Sequence, residues 1–169
     1  MKRKRMGGSN VIGKGYLRYL PAAIALALFF LISLSYSNED KDHAGPVDPK
    51  IREFVHCINA QRKSIGCPKL KWDNRIAVVA QRHSRDMVSR DFFNHNNPDG
   101  KDPFDRLEEA NLGFSRAAEN IAFGIETGKE LFKIWLSNPG HRRNMLDCRF
   151  TRHGVGRAGD HWTQLLLKP

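Results

Sequence analysis

Leu20 to Tyr36 is a run of 17 residues without a charge, built mainly of Ala, Leu, Ile and Phe, with Ser33 and Ser35 as its only small polar side chains. A buried core helix would show polar positions every three or four residues, so this run reads as a segment for lipid. Ahead of it, residues 1–19 hold Lys2, Arg3, Lys4, Arg5, Lys14 and Arg18 and no acid. Cations on one flank keep that flank in the cytoplasm and send the rest of the chain outward. Residues 1–19 therefore read as a basic cytoplasmic n-region and residues 20–37 as a transmembrane or signal-anchor helix. Two outcomes stay open. A retained single-pass anchor in the cell membrane is favoured slightly by the long lead before the apolar run. Secretion after cleavage near Ser37 is the other, since Ser35 and Ser37 supply the small residues a cleavage site needs.

The formal net charge of +10 is misleading, because six of the 28 Lys and Arg lie in residues 1–19 and the remainder of the chain carries only +4. No block of like charges gathers there, and the clustered basic stripe of a nucleic-acid binder is missing. Residues 38–49 (NEDKDHAGPVDP) are polar, with Gly45, Pro46 and Pro49, and read as a linker. Residues 50–169 remain, roughly 120 residues, enough for one core without reliance on disulfides.

All three cysteines fall in that exported part. Cys57 and Cys67, ten residues apart, are the candidate disulfide, with Cys148 left over. Free thiols packing as small hydrophobes are an equal alternative.

Periodicity predicts the elements. Ile51, Phe54, Val55 and Ile58 mark an amphipathic helix over residues 50–64. Asp73 suits the N-cap of a second helix, with Ile76, Ala80, His83 and Met87 on one stripe; His83 reads as a core histidine there. Residues 94–100 (NHNNPDG) are a dense turn signal. A short helix follows over Pro103 to Ala110. Lys129 to Leu136 is so apolar that burial on most sides is expected. Val155 to Ala158 and Trp162 to Leu167 flank Gly159-Asp160-His161 as a hairpin, and residues 116–123 can add a strand. Helices first and a hairpin last give an α+β fold on an antiparallel sheet.

Three stretches place acid–base or metal-capable residues beside turns: Phe92-Phe93-Asn94-His95, Ala118-Glu119-Asn120-Ile121-Ala122 and Asn138-Pro139-Gly140-His141-Arg142. With them, in order, stand Trp72-Asp73, Ala80-x-x-His83-Ser84-x-Asp86-Met87, Pro98-Asp99-Gly100, Trp135 and Gly154-Val155-Gly156. Together these resemble the bacterial branch of the CAP superfamily, the SCP domain related to cysteine-rich secretory, antigen 5 and pathogenesis-related proteins, over about residues 50–168. The resemblance implies a three-layer α-β-α sandwich with a central antiparallel sheet. It also implies a cleft in which two histidines, His95 and His141, can hold a divalent ion beside Glu119. The second acid of many eukaryotic members falls on Asn138, which cannot act as a base.

Imidazole ligands favour a transition metal, Zn²⁺ first, over Mg²⁺ or Ca²⁺. The function expected is an extracytoplasmic module that binds a divalent metal, a small ligand such as a lipid or peptide, or both. The alternative is a metal-dependent, peptidase-like hydrolase with Glu119 as the candidate catalytic residue; whether the chain is an enzyme is left open. Glu119 as a purely structural carboxylate, held by backbone N–H groups, is the competing reading of that residue.

Overall fold

The computed structural model describes residues 45, 46 and 48–169. The n-region 1–19, the apolar segment 20–37 and most of the linker 38–49 lie outside the described residues. Among the described residues, no helix is long and apolar enough to cross a membrane.

The described residues form five helices and four strands in the order α1 (Pro49–Ser64), β1 (Lys71–Trp72), α2 (Asn74–Ser89), α3 (Pro103–Glu109), β2 (Arg116–Ala122), α4 (Gly128–Ser137), α5 (Pro139–Leu146), β3 (Arg152–Ala158) and β4 (His161–Lys168). Local chemistry sets the helix starts. Asp48 and Asp73 cap α1 and α2 through their carboxylates, and Asp102 and Asp105 form a reciprocal capping box on α3. The two-residue turn Gly159-Asp160 closes the β3–β4 hairpin, with Gly159 at φ +59°.

The strand order is β1-β3-β4-β2. β4 pairs antiparallel with both β3 and β2, as expected. The sheet is nevertheless mixed, because β1 pairs parallel with β3, Lys71 opposite Arg152 and Trp72 opposite His153. The expectation of an antiparallel sheet throughout is corrected on this point. No hairpin joins β1 to β3; four helices and β2 intervene, and a long crossover permits parallel pairing.

Alternation along β4 divides the core. Trp162 and Leu166 pack with Phe54 and Ile58 of α1, Leu131 and Trp135 of α4 and Met145 of α5. Leu165 and Leu167 pack on the opposite face with Ile76, Val79 and Ala80 of α2 and Leu107 of α3. The α2 face is unusually close. A Cβ on Gly154 would lie 2.1 Å from the Ala77 nitrogen, and one on Gly156 would lie 2.2 Å from the Gln81 nitrogen. The Gly154-Val155-Gly156 motif thus lets a helix rest directly on β3, and Ser84 ties the contact by donating to the Gly156 carbonyl at 3.1 Å.

Two other expectations change. α4 buries Leu131 and Trp135, but Ile134 is 40% exposed, so the helix covers the sheet with one face only. The disulfide joins Cys67 to Cys148, with Cα atoms 5.0 Å apart, and leaves Cys57 free. α1 runs unbroken to Ser64 and carries Cys57 about 10 Å along its axis from the turn that holds Cys67. That exceeds disulfide reach. Cys57 sits instead beside Glu53, Lys129 and Lys133, and burial pushes its thiol pKa up.

Candidate functional site

β2 is an edge strand, and successive residues on it point to opposite faces. Glu119 points to the α2–α3 face and Asn120 to the α4–α5 face, so a site built around this strand draws side chains from both layers.

On the first face, the Glu119 side chain is 1% exposed and its two oxygens are taken separately. His95, in the turn after α2, places Nδ1 2.8 Å from Oε1, and Arg106 of α3 donates from Nη2 to Oε2 at 2.7 Å. Arg106 also donates from Nη1 to the carbonyls of His95 (2.8 Å) and Lys101 (3.0 Å), holding the turn against α3. His83 completes the group, with Nε2 3.0 Å from the Asn94 carbonyl and 4.0 Å from Glu119 Oε1. Glu119 is therefore not held by backbone N–H groups. Its hydrogen bonds come from side chains, one cationic and one imidazole, as a buried carboxylate requires.

On the second face, Asn138 caps α5, accepting from Gly140 N at 2.9 Å and His141 N at 3.1 Å. The Asn that stands where a second acid was expected thus positions the helix that carries His141. Asn144, one turn on, bridges the strand by donating to Asn120 Oδ1 (2.9 Å) and to the Glu119 carbonyl (3.3 Å). Asn120 in turn donates to Gln164 Oε1 at 3.1 Å and to the His141 carbonyl at 3.4 Å. The His141 ring packs on Trp135, centroids 5.7 Å apart, and its buried Nδ1 has no protein partner. Burial, and then the charge of His95, push the His141 pKa below the ordinary imidazole value.

The donor set is specific. A carboxylate oxygen only accepts, so His95 Nδ1 carries a proton, and in the neutral ring Nε2 presents a lone pair from a side chain that is 48% exposed. His141 adds a second imidazole, neither of whose ring nitrogens is hydrogen-bonded to a described residue. These features fit a divalent transition ion held by two histidines, the first oriented by a carboxylate behind it. Among the described residues, no group of three or more His, Cys, Asp or Glu is placed to hold a metal, so the remaining positions would fall to solvent or ligand.

The sequence singles out His95, Glu119 and His141 and passes over Arg106. It placed His83 in the core, and the ring is indeed 1% exposed, yet it also faces Glu119. Arg106 carried no signal, since a cation on a short, charged helix reads as solvated. A thiol nucleophile has no support here: Cys67 and Cys148 are bonded to each other and Cys57 lies on α1.

Residues 55–165 match the family model described as the cysteine-rich secretory protein family, CAP. The chain is 36% identical over 118 residues to the uncharacterized protein YkwD of Bacillus subtilis, covering 69% of this chain and 46% of that protein. It is 35% identical over 117 residues to the uncharacterized membrane protein YlbC of the same organism, covering 69% of this chain and 34% of that protein. The chain thus spans less than half the length of these curated relatives. Among solved structures, an extracellular protein containing an SCP domain from Bacillus anthracis superposes with a TM-score of 0.68 at 32% identity, over 75% of this chain and 45% of that one. An outer surface protein of Borrelia burgdorferi superposes with a TM-score of 0.68 at 20% identity, over 75% of this chain and 98% of that one, a likeness of fold alone.

Proposed function

The chain belongs to the cysteine-rich secretory protein (CAP) family, and from that premise we propose that it is an extracytoplasmic binding module, membrane-anchored through residues 20–37 or secreted. Its cleft around the edge strand takes a divalent metal ion, Zn²⁺ first, through His95 and His141, together with a small ligand, a lipid or a peptide. The observation that carries this reading is the 2.8 Å contact between His95 Nδ1 and Glu119, which leaves Nε2 of the half-exposed ring for an ion. Glu119 then acts as a positioning residue. It fixes the tautomer and raises the basicity of the ring that meets the ion. The depressed pKa of His141 keeps that ring neutral to lower pH than a free imidazole, so protons compete less with a metal there.

The alternative on the same residues is a metal-dependent hydrolase, in which the bound ion supplies Lewis acidity and Glu119 acts on water. It is less well supported. Both Glu119 oxygens are already engaged, one by a guanidinium, and Asn138 is spent on capping α5.

Calorimetry with Zn²⁺ tests the binding reading. Wild type is expected to take up one ion, His95→Ala and His141→Ala each to lose binding, and Glu119→Gln to weaken it roughly 10- to 100-fold. Equal affinity in wild type and His95→Ala would show that the histidines are structural.

A further inference from the structure

We propose that the end of the domain carrying Phe93, Phe123 and His161 docks on the lipid surface of the membrane, an interaction that rests on the reading of residues 20–37 as a retained anchor.

Three separate segments build this patch. Phe93 belongs to the turn after α2, Phe123 follows the last residue of β2, and His161 opens β4 at the tip of the hairpin. Their rings meet: the Phe123 centroid lies 4.7 Å from that of His161 and 6.1 Å from that of Phe93, and Phe93 lies 6.3 Å from His161. Despite these contacts Phe93 is 49% and Phe123 58% exposed, the latter the highest value for a large hydrophobic side chain among the described residues. Clustered apolar surface of this kind marks contact with a partner or a membrane. The rings are inclined to one another by 46–65°, so they offer no common flat face on which a sugar could stack. They form an apolar knob, with the Asp160 carboxylate 3.0 Å from His161 Nδ1 at its edge.

The path of the chain selects lipid as the occupant. α1 begins at this same end of the domain. Lys50 pairs at 3.7 Å with Glu126, three residues after Phe123, and Gly128 lies so close to α1 that a Cβ there would run into the Lys50 carbonyl. From there α1 runs to the opposite end, where Arg62 meets the Phe150 carbonyl just ahead of β3. Residues 38–48 are all that separates Ser37 from Pro49. Fully extended they span at most about 40 Å, and a flexible chain of that length averages about 20 Å. Such a tether holds the end bearing Phe123 beside the bilayer at high effective concentration. A second aromatic pair, Phe104 (43% exposed) on Phe114, serves as a contrast. Phe114 precedes Ser115, which is bonded to Lys168 at the other end of β2 and β4, about 25 Å from Phe123. Docking through Phe93 and Phe123 sinks their rings into the headgroup–acyl boundary and leaves the Phe104 pair in water.

The test uses the full-length chain labelled with fluorinated phenylalanine, one chain per lipid nanodisc, read by ¹⁹F NMR with signals assigned by single Phe→Leu substitutions. A lipid carrying a nitroxide near its headgroup is expected to erase the Phe93 and Phe123 signals and leave that of Phe104 sharp. The anchor is checked separately, by flotation with lipid vesicles after a carbonate wash. Wild type and Phe93→Ser/Phe123→Ser are expected to float alike, since residues 20–37 and not the patch retain the chain. Failure of wild type to float would overturn the anchor and this proposal together. A chain that floats while its Phe93 and Phe123 signals survive, or fade no more than that of Phe104, would overturn this proposal and leave the anchor standing. Signals that survive the nitroxide but shift when two chains share a disc would assign the patch to a second copy of the chain instead.

Discussion

Arg62 is a fully buried guanidinium and Arg106 a mostly buried one, on opposite faces of the sheet, and they are used differently. Arg62, on α1, gives four hydrogen bonds of 2.8–3.0 Å to the backbone carbonyls of Pro68, Met145, Asp147 and Phe150. Its partners are neutral, fixed and structural, and they include the end of α5 and the loop that carries Cys148. Arg106 gives three, one of them to the carboxylate of Glu119, and leaves Nε unpaired. A buried charge surrounded by carbonyls locks backbone in place. A buried charge that shares a carboxylate with an imidazole sets the electrostatics of that imidazole. The surroundings of Arg62 are organised for architecture and those of Arg106 for a site, to which α5 adds His141 across the edge strand β2.

If that division is right, the largest effects on stability should come from the architectural face. His153, opposite Trp72 on β3, is fully buried, and burial with Arg62 nearby depresses its pKa to about 3. It is neutral when folded, whereas the unfolded chain takes a proton near pH 6.5. Stability should therefore be fully present above about pH 6.5 and fall progressively toward pH 3, by roughly 4–5 kcal/mol from this residue alone. Urea unfolding at a series of pH values should show this acid slope in wild type and a shallower one in His153→Gln. Matching slopes would remove His153 from the account.

A smaller effect is expected for Arg62→Met, which keeps the apolar stem but orphans four carbonyls. Backbone partners cannot be exchanged for a better-packed apolar group, so the loss should be about 3 kcal/mol in urea unfolding. A loss under about 0.5 kcal/mol would mean water replaces the guanidinium, and the contrast with Arg106 would lose its basis. The smallest effect should come from the site. The half-exposed His95, replaced by Ala, should cost about 1–2 kcal/mol, for the partner that buried Glu119 Oε1 loses, while removing Zn²⁺ binding. A large loss of stability there would break the division from the other side.

How legible each face was depends on the kind of signal it leaves. α1, α2 and the closing hairpin were readable because caps, apolar periodicity and turn residues are local. β1, two residues long, is too short for any period, and its parallel pairing depends on segments 80 residues apart. The Cys67–Cys148 bridge spans 81 residues and left no local mark, whereas the wrongly favoured Cys57–Cys67 pair was attractive only because it was close in sequence. Arg62 could have been found: it follows Ile51, Phe54 and Ile58 on the same stripe, where a cation must be buried and satisfied. At the site, His95, Glu119 and His141 stood out through their turn and strand contexts. Arg106 acts through tertiary contacts alone, and the paired arrangement around Glu119 could be seen only once α3 was set against the turn holding His95.

In the proposed site, Glu119 holds His95 with its proton on Nδ1 and a lone pair on Nε2 for a metal. Long-range ¹H–¹⁵N NMR of the imidazole nitrogens at pH 8 reports this directly. The account predicts that His95 is the Nδ1–H tautomer, that Zn²⁺ shifts its Nε2 resonance, and that Glu119→Gln populates both tautomers. A His95 protonated on Nε2, or an Nε2 resonance unmoved by Zn²⁺, would contradict it.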